Sequence, residues 1–145
     1  MEAFIDNPAF RTYAVCAAIV ALKVLLSAVY TGVQRQRSQG YTNAEDASSF
    51  GEPGTSTTAA DAPAVARALR IQRNDAENVP AFYAIGLIYV LCGATPNGAF
   101  WYMWTYTAAR VLHTFAYMYE LQPWRAICFL VGLLCQIGMI TSILF

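Results

Sequence analysis

Arg70, Arg73, Asn74 and Glu77 follow one another at i, i+3, i+4 and i+7 in the stretch ALRIQRNDAEN, Ala68 to Asn78. That spacing places four polar side chains on one face of a helix. Arg67 carries the face back by a further turn. Guanidinium forks grip carboxylates through paired N–H bonds, and a glutamate grips an ammonium, so the stripe suits a small zwitterionic ligand. The same spacing also fits a solvated helix end in which Arg73 and Glu77 pair with each other. A second stripe is Arg110, His113 and Tyr117, at i, i+3 and i+7. Arg110 lies well inside an otherwise uncharged run, where a charge is costly unless it faces the protein interior. The nearest acids to pair with it are Glu77 and Asp75. His113 is the single histidine of the chain. A lone histidine is commonly a packed hydrogen-bonding group, but three polar residues on one face of such a helix point to a site. Metal chemistry lacks a ligand set, because Cys16, Cys92, Cys128 and Cys135 form no CxxC pair. They read as buried, inert thiols, with Cys128 and Cys135 on a shared helix face.

The composition says which solvent surrounds the elements that hold these residues. The chain has 145 residues, 57% hydrophobic and only 12% charged, with a mean hydropathy of +0.40. The charged share is about half that of a soluble domain. Nine basic and nine acidic residues cancel, so no net field draws nucleic acid. A bilayer core takes about 20 apolar residues per helix. Four segments qualify: Tyr13 to Val33, a run centred on Val79 to Ala94, Ala99 to Tyr119, and Ala126 to Phe145. The reading is an all-α membrane protein, one domain over residues 1–145, folded as a four-transmembrane-helix bundle. Its helices are expected over about 8–37, 62–92, 97–120 and 123–145, with a polar loop over about 38–61. The start, MEAFIDNPAF, has no basic run, and the first apolar segment ends in Arg35 and Arg37. That segment therefore reads as a retained helix and not a cleaved signal.

Lysines and arginines in the connections set the orientation. Arg35, Arg37, Arg67, Arg70 and Arg73 lie between the first two spans, Arg125 lies between the last two, and GATPN carries none. Both arginine-bearing connections face the cytoplasm on this reading. Lys23, inside the first span, reads as snorkelling or as paired with an acid. Trp101 and Trp104 suggest one interfacial belt and Trp124 the other. In the polar loop, Asn43 suits a helix cap, with Glu45 and Asp46 in the first turn behind it. Asp61 and Pro63 suit the start of the second long helix. That helix would span roughly 45 Å at 1.5 Å per residue, polar in its first half and apolar in its second, with Pro80 at the join. Its polar half, the middle of the third helix and Arg125 then lie towards one side of the membrane. The place suits a ligand site at the cytoplasmic mouth of a bundle, with lipid access for an apolar second substrate.

RNDAEN followed by VPAF, then ARVLHTFAY, then QPWRAICFLVG, resemble the membrane-associated glutathione transferase superfamily, MAPEG. TNAED resembles that family's Asn-Pro-Glu-Asp segment, with Ala44 where proline is usual. The likeness runs from the first helix to the middle of the fourth. It implies a homotrimer of four-helix subunits, with glutathione as cosubstrate bound between subunits near the cytoplasmic side. It implies no metal. Arg73, Asn74, Glu77, His113 and Tyr117 match glutathione-binding positions. Arg35 resembles a position that reaches glutathione from the neighbouring subunit, and Arg70 a position supporting the site that is also counted with the glutathione contacts. Arg67 and Arg110 resemble charge-network positions. Arg125 matches the arginine beside the glutathione sulfur, and Asp46 an acid assigned a helping role in the synthase branch; both are candidate catalytic residues.

The chemistry implied is activation of the glutathione thiol by a guanidinium, followed by attack on a lipophilic electrophile or a lipid hydroperoxide. The family's prostaglandin E synthase branch carries a serine after this arginine and a tyrosine four residues on; here Ala126 and Phe129 stand there. RAICFLVG thus leans towards the broad glutathione transferase branch, with prostaglandin-type isomerisation as the alternative. A non-catalytic lipid-binding member would lack Arg125. A small multidrug transporter would need an acid in the first helix, where this chain has Lys23. The family occurs in endoplasmic reticulum and in bacterial membranes, so the expected location is multi-pass in one of these.

Overall fold

The computed structural model describes residues 6–145; the opening MEAFI of the N-terminal tail lies outside them. Every regular element among the described residues is helical. The helices are α1 (Pro8–Ser38), α2 (Ala44–Phe50), α3 (Pro63–Leu91), α4 (Pro96–Met118) and α5 (Trp124–Leu144). The all-helical reading holds, and the short α2 lies in the segment expected to be a loop. Of the four expected spans, α1 and α5 are long and apolar enough to cross a membrane. The other two fall short for a reason visible in their residues. The first turns of α3 are rich in arginine, asparagine and acid, and α4 carries Arg110 and His113 in mid-helix.

The chain forms two compact units, one of the residues through Lys23 with Ala76–Phe145, the other Val24–Asp75. In the first unit, segments of α1 and α3 join α4 and α5 around a close-packed centre. Phe82 and Tyr106 stack with centroids 4.1 Å apart. Tyr13 Oη donates to the Tyr83 carbonyl at 2.9 Å, and Tyr83 Oη to the Ala17 carbonyl at 3.3 Å. Glycine admits the bulky partners of α5. A Cβ on Gly138 would lie 2.5 Å from a Tyr102 ring carbon, and one on Gly132 3.2 Å from Arg110 Nε. Pro80 does not end α3, which runs on to Leu91.

The second unit packs Ala47, Val65, Ala68 and Ile71 behind Tyr41. Gln72 Nε2 reaches α1 there, donating to Thr31 Oγ1 at 2.5 Å and to the Ser27 carbonyl at 3.3 Å. The polar segment is tied to itself. Thr58 N donates to the Tyr41 carbonyl at 2.8 Å, Tyr41 Oη to the Phe50 carbonyl at 3.0 Å, and Glu52 N to Gln39 Oε1 at 2.9 Å.

The four cysteines are free thiols, and only two are buried, Cys16 and Cys135. Cys128 is half-buried and Cys92, just past the last residue of α3, is exposed.

Candidate functional site

The α4 stripe is held by a well-made helix start. Thr95 caps it, its hydroxyl accepting from Gly98 N at 3.1 Å, and Pro96 takes the first turn, where a missing N–H costs nothing. The 3.6-residue period then turns Arg110, His113 and Tyr117 to one side. Arg110 is 1% exposed and His113 4%, so both charge-bearing groups face the interior of the first unit.

Around Arg110 the unit supplies polar and aromatic partners. Arg110 Nη2 donates to Asn78 Oδ1 at 3.0 Å, and the guanidinium lies 5.3 Å from the Tyr106 ring centroid and 5.5 Å from that of Phe129. The carboxylates expected from sequence were Glu77 and Asp75. Within this unit Asn78, one residue past Glu77, supplies an amide partner. Glu77 is exposed. The Asn78 carbonyl also accepts from Tyr106 Oη and from Gln136 Nε2, each at 3.2 Å. Asn78 thus ties α4 and α5 to α3 through three bonds.

At the other end of the stripe, His113 Nδ1 lies 3.0 Å from the Arg125 carbonyl. A carbonyl only accepts, so Nδ1 carries a proton and donates. The Arg125 guanidinium lies 4.6 Å from the Tyr117 ring centroid, within cation–π range. With its amide oxygen turned to the guanidinium, Gln122 accepts from Arg125 Nη2 at 2.5 Å and from Nε at 3.1 Å. Arg125 also stands in the first turn of α5, at the positive end of the helix dipole. A cation there adds to that field. A cation at a helix start is an arrangement that suits an anion.

The second unit holds the remaining candidates. Arg70 and Arg73 are exposed on α3, with Asn74 and Arg67 half-buried. Arg35 Nη2 lies 3.9 Å from Asp61 Oδ1. Asp46 sits in the first turn of α2, where its Oδ2 accepts from Asn43 Nδ2 at 3.2 Å. Asn43 occupies the cap position, yet its side chain bonds to Asp46 and not to the helix backbone.

Between α4 and α5 lies an open apolar groove of about 720 Å³. Trp101, Trp104, Leu112, Trp124, Ile127 and Cys128 line it, among others. No group of three or more His, Cys, Asp or Glu suited to a metal occurs among the described residues. Sequence reading missed Asn78, Gln122, Gln136 and Gly132. Gln136 carried a signal, as the lone amide in AICFLVGLLCQIGMI, since a polar side chain inside a span usually has a partner. Gly132 carried none, for the volume it leaves is visible only with Arg110 in place.

Comparison with known proteins places the chain among relatives. The MAPEG family pattern matches residues 13–145. Human prostaglandin E synthase is 31% identical over 140 residues, 96% of this chain and 90% of that protein. Human microsomal glutathione S-transferase 1 is 35% identical over 130 residues, 88% of this chain and 83% of that protein. The rat microsomal glutathione S-transferase 1 is 32% identical over 135 residues, 91% and 86% respectively.

Proposed function

The chain belongs to the MAPEG family, and from that membership we propose that it is a glutathione-dependent membrane transferase and peroxidase. The observation that carries the reading is the setting of Arg125. Its guanidinium stands at a helix N-terminus, against the Tyr117 ring, with its backbone tied to His113. A free thiol with a pKa of about 8.5 is mostly protonated at neutral pH, and an adjacent cation favours the thiolate. The thiolate sulfur then attacks an electrophilic carbon and the leaving group departs with the bonding pair. With a hydroperoxide it attacks the terminal oxygen, the O–O bond breaks and the alcohol leaves. A second glutathione reduces the resulting sulfenic acid, giving the disulfide and water.

Glutathione carries two carboxylates and an ammonium. Arg70 and Arg73 serve the carboxylates and Glu77 the ammonium, with Asn74, His113 and Tyr117 contacting the peptide. The exposure of Arg70, Arg73 and Glu77 supports a site completed by a second subunit, with Arg35 reaching in from the neighbour, in a homotrimer. Arg67 and Arg110 hold the charge network. The groove beside Trp124 gives a lipophilic second substrate a path from lipid. We place the chain as a four-span protein of the endoplasmic reticulum or a bacterial inner membrane, with this site towards the cytoplasm.

A second reading, a prostaglandin-endoperoxide isomerase, is favoured by Asp46, the acid expected to assist that reaction. Ala126 and Phe129 favour the transferase. The deciding experiment offers purified protein glutathione with an aryl halide, a lipid hydroperoxide and a prostaglandin endoperoxide. Conjugate or alcohol as the main product supports the transferase and peroxidase. Endoperoxide isomerisation with neither supports the second reading. Failure to bind glutathione by calorimetry overturns both.

A further inference from the structure

We propose that Gln122 is a positioning residue for Arg125, holding one edge of the guanidinium through a neutral amide oxygen. The inference rests on the reading that Arg125 activates the glutathione thiol. Three constraints meet on Arg125. The His113 ring holds its carbonyl at 3.0 Å, and Arg125 N donates to the Leu121 carbonyl at 3.0 Å, so the backbone is placed. The Tyr117 ring covers one face of the guanidinium at 4.6 Å. The Gln122 oxygen takes the Nε–Nη2 edge, at 3.1 and 2.5 Å. An amide nitrogen on that edge would set donor against donor, which is why the oxygen faces the fork. The Nη1 end of the fork is then the one aimed by the clamp.

The choice of an amide matters more than the presence of an acceptor. A carboxylate at position 122 would hold the same edge and would also cancel the charge that a thiolate needs. A glutamine orients the guanidinium and leaves its charge intact. Gln122 is exposed, so its bond adds little to folding stability. Its consequence is where the Nη1 end points. An arginine on a flexible stem, free to swing, would spend much of its time away from the sulfur.

The test uses the full-length protein with glutathione, reading thiolate absorbance against pH together with kcat and KM. Gln122→Leu frees the fork, so the midpoint of the bound thiol rises and kcat falls, neither by more than in Arg125→Ala, with KM for glutathione little changed. Gln122→Glu keeps the clamp and cancels the charge. The midpoint of the bound thiol then rises by about one unit, and raising the pH restores the rate. Both results together support the proposal. A Gln122→Glu protein with the parent midpoint overturns it, as does a Gln122→Leu protein with the parent kcat. Arg125→Ala run alongside separates the two layers. If it leaves the midpoint unmoved, the activation reading itself fails. If it moves the midpoint and the Gln122 variants do not, only the positioning role fails.

Discussion

Replacing Arg125 by alanine should move the ionisation of bound glutathione without abolishing its binding. A thiolate in hydrogen-bond contact lies about 4 Å from the guanidinium charge, where attraction is about 4 kcal/mol at an effective dielectric constant of about 20. Arg125 is half-buried, so solvent screening reduces this to roughly 2–3 kcal/mol, or about two pH units. A thiol that titrates at about 8.5 in water then titrates near 6.5 in the site. At neutral pH the loss of Arg125 lowers the thiolate fraction from about three quarters to about 3%, roughly 25-fold. A more basic thiolate is also a better nucleophile, and a Brønsted slope of about 0.4–0.5 returns roughly 8-fold per thiolate. Ionisation alone therefore lowers the conjugation rate by only about 3-fold at neutral pH, and the variant overtakes the parent in alkali. A larger fall measures charge stabilisation in the transition state. The assay is ultraviolet thiolate absorbance against pH, with binding followed by calorimetry. An Arg125→Ala protein that binds glutathione with the parent midpoint refutes the argument.

Asn78→Leu removes the amide that receives Arg110 and should cost about 1.5–3 kcal/mol, read as a lower inactivation temperature in detergent. Arg73→Ala should raise KM for glutathione by roughly 10- to 100-fold with kcat largely kept, because it removes binding shared by ground and transition states. Ala108→Trp fills the groove between α4 and α5 and should raise KM for a long-chain hydroperoxide while leaving KM for glutathione unchanged.

The stripe on α4 was legible because a helical period is local. Arg110, His113 and Tyr117 share a face wherever a helix forms, and nothing in PNGAFWYMWTYTAARVLHTFAYM opposes one. The membrane character was legible for the same kind of reason, since low charge and long apolar runs are properties of composition. Hydropathy was less reliable for α3 and α4, whose polar residues pull them below the apolar density of α1 and α5. In the polar loop the start of α2 was legible from Asn43 and the acids Glu45 and Asp46 behind it, while its run to Phe50, held by bonds such as Tyr41 to Phe50, was not.

What the sequence by itself determined is what depends on neighbours in the chain: helices, their polar faces, the apolar solvent, and the family order of RNDAEN, ARVLHTFAY and QPWRAICFLVG. Which groups meet across helices was left to the tertiary structure. Arg110 meets the Asn78 amide, Gly132 makes room for its guanidinium, and His113 reaches the Arg125 backbone. Those pairings depend on the rotation and separation of packed helices. A turn of about 100° per residue makes adjacent positions point to different partners, and only the packed structure selects among them.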